Sequence, residues 1–434
     1  MKENIEKKVR SARKAFLEIS ISSTAMRNNA LRTLASGLRN ARRGIMAANR
    51  NDAALAVKSG LQASLLKRLE LNDEKFSDIV HEVLSVEKQP ELAGRVSEKI
   101  VLDKGLVLEK VSVPMGVICA IFESRPDALV QIAALSIKTG NAAILKGGSE
   151  ALNTNRALAR VVRAALFSTG LPQDAIQLVE SRESVKGLLG MNEHIDLIIP
   201  RGSSAFVKFI QQNSSIPVLG HSDGICHEYV DEHALLEKAV RICVDAKTQY
   251  PAVCNAMETL LAHRNVAKTF LPMYAEALGG KVELRCDPES FSILRKAGFA
   301  AKKAVGKDWR TEYNDLILSV RVVKSLDEAI RHVNEYGSKH TDGIISENRN
   351  NAEEFMARVD SAGVFWNAST RFADGYRYGK GAEVGISTGK IHARGPSGAE
   401  ALLTHKYVLR GEGHVVADYS GSGAKKFVHR RIRC

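Results

Sequence analysis

The sequence lacks any apolar run long enough to cross a bilayer. Its hydrophobic stretches are interrupted by Lys, Glu or Arg before they reach the roughly 18 residues that a spanning helix needs. The N-terminus also has no apolar core typical of a secretory signal. Arginine, serine and alanine are frequent through Arg50, as in mitochondrial transit peptides, but Glu3, Glu6 and Glu18 argue against that class. The sequence therefore predicts no membrane partner.

Cysteine is sparse and unpaired in the sequence. There is neither a CxxC motif nor a regular spacing among the six cysteines, which are Cys119, Cys226, Cys243, Cys254, Cys286 and Cys434. Disulfide-stabilised secreted domains and structural zinc sites both depend on such spacings. We therefore expect no disulfide framework, no metal site and a reducing, cytoplasmic compartment.

Acidic residues are too few to balance the basic ones, and the formal net charge is +13. Residues 1–50 carry +9 and residues 424–434 carry +5, so the body of the chain is nearly neutral. Basic ends of this kind are usually solvated helix faces and a frayed tail. A contact with nucleic acid or anionic lipid is the alternative. No aromatic interleaving supports stacking on bases, so we predict no nucleic-acid partner.

At 434 residues, of which 44% are hydrophobic, the chain can form two or three compact units. Residues 5–95 show apolar positions at helical spacing. Residues 98–113 alternate around an Asp-Lys-Gly turn, which predicts a long hairpin of a kind that can pair with a partner subunit. The segment KYVLRGEGHVV near the C-terminus is strand-like and could complete the same layer.

Apolar strands alternate with amphipathic helices from Pro114 to about residue 225, and a second such series begins near Cys226 and continues to about residue 400. This alternation predicts parallel sheets covered by helices on both faces. The loops ESRP, KGG and PRG follow strands of the first series, where ligands gather in such folds. The predicted fold class is α/β, with two doubly wound parallel-sheet domains and a small β-hairpin oligomerisation element.

The segment TQYPAVCNAMETLLAH contains the most reactive candidate, Cys254. If NAMETLLAH is a helix, Cys254 lies at a strand-to-helix junction, where backbone N–H groups favour a thiolate and can receive an oxyanion. Taken alone, however, a cysteine between Val and Asn is more often a small buried apolar residue. The segment by itself leaves both interpretations open.

A resemblance decides between them. PAVCNAMETLLAH resembles the segment around the reactive cysteine of glutamate-5-semialdehyde dehydrogenases (γ-glutamyl phosphate reductases), a branch of the aldehyde dehydrogenase superfamily. The resemblance extends from about residue 10 to about residue 420, and seven other stretches follow the order of the family: VPMGVICAIFESRPD, TGNAAILKGGSEA, DLIIPRGS, IPVLGHSDGICH, EYGSKHTDGI, NASTRFADG and GAEVGISTGKIHARGP.

The resemblance implies an aldehyde dehydrogenase-like fold and an activity. The activity is NADPH-dependent reduction of L-glutamyl 5-phosphate to L-glutamate 5-semialdehyde and phosphate through a thioacyl intermediate on Cys254, the second step of proline biosynthesis from glutamate. Together with the pattern of elements, it predicts an NADP-binding domain (1–97 and 114–225), a catalytic cysteine domain (226–404), oligomerisation strands (98–113 and 405–423) and a basic tail (424–434).

Five residues are implied to bind the cofactor. Lys146 resembles the superfamily lysine that bonds the adenosine ribose, and Gly148 would allow close backbone approach. Gly202 and Ser203 resemble the turn under the pyrophosphate, and Glu312 resembles the glutamate that holds the nicotinamide ribose. The alternative, non-functional interpretations are a surface lysine for Lys146, an ordinary Gly-Ser turn for Gly202 and Ser203, and an exposed acid for Glu312.

The cofactor preference rests on one displaced acid. Where many relatives carry a glutamate that disfavours a 2′-phosphate, this chain has Ser149, and the acid moves to Glu150. This arrangement favours NADPH.

The remaining implied residues concern the substrate and the oxyanion. Arg125 falls where oxidising relatives carry the asparagine that donates to the oxyanion, and Arg371 is a second candidate for a charged end of the substrate. Asn255 is assigned to the same group. Arg125 or Arg371 could instead form a structural ion pair.

The glutamate with which oxidising relatives activate water is missing, because the corresponding region reads VLGHSDG. This favours release by phosphate, although His221 is an alternative base. A hydrolytic semialdehyde dehydrogenase and an inactive nucleic-acid-binding protein remain the rival functions. Glutamate 5-kinase and further copies of this chain are the expected protein partners.

Overall fold

The computed structural model describes residues 4–181, 184–221 and 223–432, so Cys434 and the end of the predicted basic tail lie outside the described residues. Four helices open the chain, as the sequence predicts: α1 (Ile5–Ile19), α2 (Thr24–Lys58), α3 (Ala63–Leu69) and α4 (Asp73–Lys88). The side chains of Asn4, Ser23 and Asn72 cap α1, α2 and α4 by accepting backbone hydrogen bonds. Among all the described residues, no helix has the length and apolarity needed to span a membrane.

The predicted hairpin follows as β1 (Val96–Asp103) and β2 (Leu106–Pro114), which pair in antiparallel fashion. The first parallel sheet then contains β3 (Val117–Phe122), β4 (Ala142–Lys146), β5 (Ile176–Val179) and β6 (Leu197–Arg201), in the order β5-β4-β3-β6. Its helices are α5 (Pro126–Thr139), α6 (Leu152–Ser168), α7 (Ser184–Leu189) and α8 (Ser204–Asn213). Strands β3 and β4 are completely buried, which explains their continuous apolar sequence.

The second parallel sheet has the order β10-β9-β11-β8-β7-β12-β13. Its strands are β7 (Cys226–Val230), β8 (Met257–His263), β9 (Glu283–Cys286), β10 (Lys302–Lys303), β11 (Ile317–Val323), β12 (Thr341–Ile345) and β13 (Gly363–Trp366). Its helices are α9 (Leu236–Thr248), α10 (Arg264–Leu278), α11 (Pro288–Lys296), α12 (Leu326–Tyr336) and α13 (Arg349–Arg358). The predicted class, with two parallel-sheet units, is confirmed.

The chain ends on two small sheets. Strands β14 (Gly385–Ser387) and β15 (Gly395–Ser397) form an antiparallel ribbon, while β16 (Leu403–Arg410) and β17 (Arg430–Ile432) join the hairpin in the order β16-β2-β1-β17. The expected addition of the KYVLRG strand to the hairpin is therefore confirmed. Val384, Ala399, Ala401 and Leu402 pack into the core of the first sheet. The domain boundaries at 225 and 404 remain predictions.

The helix predicted for NAMETLLAH is wrong, because Met257–His263 forms the buried strand β8. All seven of its residues are buried, so both faces of the run are covered and it has no exposed face whose period would separate strand from helix. The helix that follows begins only at Arg264. Cys254 therefore does not lie at a helix N-terminus.

The view of the basic ends as solvated faces and a frayed tail is also wrong in part. Arg27 is 4% exposed and pairs with Glu91 at 2.6 Å, and Arg13 pairs with Asp196 at 2.9 Å. These contacts fix the N-terminal helices to the rest of the molecule. In the tail, Arg430–Ile432 pairs with β1.

Candidate active site

Cys254 lies half-buried in the loop between α9 and β8. A turn in which Ala256 N–H donates to the Val253 carbonyl at 3.0 Å shapes this loop. Gly224 packs directly beneath it: a Cβ at Gly224 would lie 2.2 Å from the Cys254 carbonyl oxygen and 2.4 Å from its Cα. Only glycine leaves room for this approach, so Gly224 fixes the position of the thiol.

Two guanidinium groups lie near the Cys254 thiol. Arg201, the last residue of β6, is close to both Cys254 and Arg125; burial, followed by repulsion from Arg125, lowers the pKa of Arg201 to about 10. Arg371 is 8% exposed, and burial, followed by repulsion from Arg377, lowers its pKa. In both cases, interaction with Cys254 opposes the decrease. Positive charge beside a thiol favours the thiolate and attracts anionic substrates.

Arg371 is held by one bond and leaves part of its guanidinium for a ligand. Its Nε donates to the Gln249 side chain at 3.0 Å. Within the described chain, its two Nη groups have no hydrogen-bond partner, although the side chain is almost fully buried. A guanidinium in this state can form a fork with a carboxylate or phosphate. Arg201 was not predicted from the sequence, although it lies within the PRG loop.

Arg125 is engaged with acids. Its Nη2 pairs with Asp127 at 2.9 Å. Burial would lower the pKa of Arg125, but Asp127, Glu82 and Glu383 together raise it. The proximity of Arg201 connects Arg125 to the neighbourhood of Cys254. Its substrate role stays a prediction, and the structural ion pair that was the alternative is present.

A strained turn holds the residue before Arg125. Ser124 adopts φ 47° and is 2% exposed. Its N–H and Oγ both donate to Glu150 Oε1, at 2.6 and 2.8 Å. Glu150, the displaced acid of the predicted cofactor loop, is therefore committed to the turn that presents Arg125.

Two histidines accompany Cys254. One ring nitrogen of His221, one of His340 and the Cys254 sulfur all lie within 4.8 Å of one another. The two rings meet edge to face with centroids 5.1 Å apart. His340 was not predicted, although EYGSKHTDGI, which contains it, is one of the stretches that carried the resemblance. Residues distant in sequence meet here because their loops gather at the same edge of the second sheet.

Glu312 also lies next to this group. It accepts a hydrogen bond from the Gly224 backbone, and burial raises its pKa despite that bond. Because Gly224 touches the backbone of Cys254, Glu312 is one residue removed from the thiol. The structure thus brings Glu312 to the site, and its predicted contact with the nicotinamide ribose stays a prediction.

Asn255 is buried behind the thiol. Its Nδ2 donates to the Ala373 carbonyl at 2.9 Å, and its Oδ1 has no partner among the described residues. This bond attaches the cysteine loop to the segment that carries Arg371. The predicted oxyanion or substrate role of Asn255 is not tested by this geometry.

The other four predicted cofactor residues lie at the carboxyl ends of β4 and β6. Lys146 is 4% exposed, and its Nζ donates to the carbonyl of Gly147. A Cβ at Gly148 would lie 2.0 Å from Glu150 Oε1, so this loop has no room for a side chain. The residues fit a nucleotide at this edge, where ligands of parallel sheets bind.

The second loop contains a carboxylate where the pyrophosphate is expected. Ser203 caps α8, and its N–H donates to Glu123 Oε2 at 3.2 Å. A Cβ at Gly202 would lie 2.4 Å from the same oxygen. The start of α8 therefore binds an anionic group of the chain itself, which matches its expected affinity for phosphate.

Glu82 predicts a pH dependence of stability near Arg125. Burial, followed by repulsion from Asp127, raises the pKa of Glu82 to about 7. A raised pKa contributes stability that is complete below the unfolded value of 4.5 and is lost as the pH rises through about 7. We expect Glu82→Gln to lose less stability than the wild type between about pH 5 and about pH 8, measured by urea titration. Glu74→Gln, at an exposed position of α4, should behave as the wild type; equal pH slopes for all three would contradict the prediction.

Comparison with known proteins agrees with this geometry. The sequence profile described as the aldehyde dehydrogenase family matches residues 1–288. A gamma-glutamyl phosphate reductase of Methanosarcina barkeri is 51% identical over 439 residues, covering 100% of this chain and 98% of that protein. Gamma-glutamyl phosphate reductase 1 of Synechocystis is 53% identical over 420 residues, covering 96% of each chain.

Solved structures point the same way. The crystal structure of gamma-glutamyl phosphate reductase from Thermotoga maritima superposes with a TM-score of 0.92 at 39% identity, covering 95% of this chain and 100% of that one. An acetylating aldehyde dehydrogenase from Geobacillus thermoglucosidasius, at 18% identity and a TM-score of 0.65 with 95% and 97% coverage, shares the fold. The protein belongs to the aldehyde dehydrogenase family and, within it, to the gamma-glutamyl phosphate reductases.

Proposed function

We propose that this protein reduces L-glutamyl 5-phosphate to L-glutamate 5-semialdehyde with release of phosphate, using NADPH. The observation that carries the proposal is the half-buried Cys254 thiol beside the guanidinium groups of Arg201 and Arg371. A nucleophile next to anion-binding groups suits an acyl phosphate, which presents an electrophilic carbon and a dianionic leaving group. The printed names of the relatives support the same substrate.

Cys254 is the nucleophile of the proposed reaction. Its thiolate attacks the acyl carbon, the bond from carbon to the phosphate oxygen breaks, and a thioester forms on Sγ. Arg125 and Arg371 bind the charged ends of the substrate, and Arg201 adds positive charge near Arg125 and Cys254. Asn255 lies behind the sulfur, where it holds the loop and serves the developing oxyanion.

Lys146, Gly148, Gly202, Ser203 and Glu312 hold the cofactor. When bound, NADPH supplies the hydride that reduces the thioester. The commitment of Glu150 to Ser124 supports the preference for NADPH, because this acid is turned to the Arg125 turn. Lys146, buried at the end of β4, provides a cation at the same edge.

Glu123 is expected to weaken cofactor binding. Its carboxylate occupies the Ser203 N–H at the start of α8, where the pyrophosphate would bind. We expect Glu123→Gln to lower the Kd for NADPH about two- to fivefold, since charge interactions at a helix N-terminus are worth about 0.3–1 kcal/mol. Fluorescence titration with NADPH measures this, and the advantage should shrink at high salt. A weaker or unchanged affinity would show that Glu123 does not compete with the cofactor.

Phosphate dependence tests the proposed function against hydrolysis. In the reverse direction, NADP⁺ reduction by glutamate 5-semialdehyde should require inorganic phosphate, because VLGHSDG contains no glutamate to activate water. If the reaction runs equally well without phosphate, the protein is a hydrolytic dehydrogenase. Salt-sensitive DNA binding that Cys254→Ala leaves intact, with no turnover in either form, would instead favour the nucleic-acid-binding alternative.

The expected associations follow from the same proposal. We expect a homo-oligomer built through the sheet β16-β2-β1-β17, whose exposed side chains include Tyr407 and Leu409. Glutamate 5-kinase is the expected protein partner, since direct transfer would protect a labile acyl phosphate. A cytoplasmic location is consistent with cysteines that are free throughout the described chain.

A further inference from the structure

His221 occupies the region where oxidising relatives carry a water-activating glutamate, and it has its own relation to the thiol. One of its ring nitrogens lies within 4.8 Å of the Cys254 sulfur. The ring and the thiol are not hydrogen-bonded to each other, but a half-buried cysteine in a loop can turn toward a neighbouring ring, and catalytic hydrogen bonds often form only when substrate binds.

The hydrogen bond of Nδ1 determines the tautomer of His221. Nδ1 lies 2.9 Å from the carbonyl oxygen of Ile386, which can only accept a hydrogen bond. Nδ1 must therefore carry a hydrogen, and in the neutral ring Nε2 has the lone pair. A neutral imidazole with its tautomer fixed by a backbone carbonyl is prepared to take a proton at Nε2.

The surroundings of His221 keep the ring neutral in the free protein. Burial lowers its pKa, and Arg201 acts in the same direction. The bond to the Ile386 carbonyl and the carboxylates Glu312 and Asp223 act in the opposite direction. The His340 ring closes the remaining side, edge to face.

We propose that His221 is the proton carrier of the reaction: Nε2 takes the proton of the Cys254 thiol and then gives it to the departing phosphate. This inference rests on the proposed function, because it needs an acyl phosphate whose leaving group requires a proton. The role differs from that of the glutamate in oxidising relatives. That glutamate activates water, whereas His221 carries a proton from the thiol to the leaving phosphate.

The proton and the electrons balance. Transfer of the proton from Sγ to Nε2 gives a thiolate and an imidazolium. The thiolate forms a C–S bond, the C–O bond to phosphate breaks, and the bridging oxygen takes the imidazolium proton and leaves as hydrogen phosphate. When the thioester is reduced and the C–S bond breaks, the electron pair returns to Sγ, which takes a proton from solvent. One solvent proton is thus consumed in each turnover.

The first test measures Cys254 without any turnover. The rate of alkylation by iodoacetamide, a neutral reagent, is followed against pH in the wild type and in His221→Asn, with mass spectrometry to confirm modification at Cys254. Asparagine keeps a donor for the Ile386 carbonyl and removes Nε2. We expect His221→Asn to be alkylated about tenfold more slowly than the wild type below the pH at which the thiol ionises and equally fast above it, because Nε2 can no longer take the proton while Sγ attacks. His233→Asn, at an exposed position, is the matched control and should follow the wild type.

The second test isolates the phosphate step. In the reverse assay, His221→Asn at high pH should produce a burst of about one NADPH per site followed by slow turnover, since the thioester forms but phosphate cannot lose its proton to the ring. Hydroxylamine, which attacks thioesters without a base, should restore steady turnover. His221→Gln, which also removes a basic nitrogen, should repeat both results if His221→Asn folds poorly.

The outcomes separate the two ideas. An alkylation profile equal to the wild type, or steady turnover without a burst in both variants, overturns the role of His221. If Cys254→Ser keeps its phosphate-dependent activity, the proposed function itself fails. If Cys254→Ser is inactive while His221→Asn behaves as the wild type, only the inference fails.

Discussion

Replacing Cys254 by serine is expected to lower the phosphate-dependent reduction of NADP⁺ by glutamate 5-semialdehyde by at least about 10³-fold. A serine hydroxyl remains protonated beside Arg201 and Arg371, so neither the hemiacetal nor the ester that would replace the thiohemiacetal and the thioester can form at a useful rate. The initial rate is measured with saturating phosphate. NADPH binding should stay within about twofold of the wild type, because the substituted atom belongs to the chemical step.

A matched control uses another cysteine of the same domain. Cys286 is 1% exposed and lies at the end of β9, away from the loop between α9 and β8. The Cys286→Ala variant should retain the activity of the wild type. Iodoacetamide should inactivate this variant at the same rate as it inactivates the wild type. Residual activity of Cys254→Ser comparable to that of Cys286→Ala would remove Cys254 from the reaction.

Replacing Lys247 by methionine is expected to lower the free energy of unfolding by about 3–5 kcal/mol. Lys247 on α9 donates to Glu258 on β8 at 2.7 Å, and both side chains are fully buried. Removal of the lysine leaves an acid in the core that, among the described residues, keeps a single hydrogen bond, donated by the Asn314 backbone. Urea titration, monitored by circular dichroism, measures the change.

Two further variants show whether the loss comes from the unpaired acid. The double variant Lys247→Met with Glu258→Leu should recover much of the stability, because buried ion pairs are replaceable by apolar pairs. Arg264→Met breaks the exposed pair with Glu289 and should cost no more than about 1 kcal/mol. A loss in Lys247→Met no larger than in Arg264→Met would mean that Glu258 is solvated or neutral without its partner.

Local sequence patterns predicted the elements that have a period or a turn of their own. The hairpin of β1 and β2 follows from alternation around Asp103, Lys104 and Gly105, and the parallel sheets follow from alternating strands and helices. The pattern failed at β8, because a strand buried on both faces has no period. It also failed for the tail, since the pairing of Arg430–Ile432 with β1 is set by distant residues rather than by local composition.

The site divides in the same way. Cys254 and Arg371 were predicted because they lie within stretches that resemble a family. The structure places Arg371 near the Cys254 thiol. Arg201, His340 and Gly224 also lie within such stretches, but no local signal separates them from a strand end, a loop histidine and an ordinary turn. Their roles come from approach in space, such as the 2.2 Å that a Cβ at Gly224 would leave to the Cys254 carbonyl.

Glu150 connects two ligand regions through one carboxylate. It belongs to the loop after β4 that is proposed to bind the nucleotide, yet it holds the Ser124 turn before Arg125. A ligand that moves Glu150 therefore changes the free energy of that turn. Thermodynamic reciprocity then requires substrate and cofactor to alter each other's affinity by the same factor, whichever of them binds first.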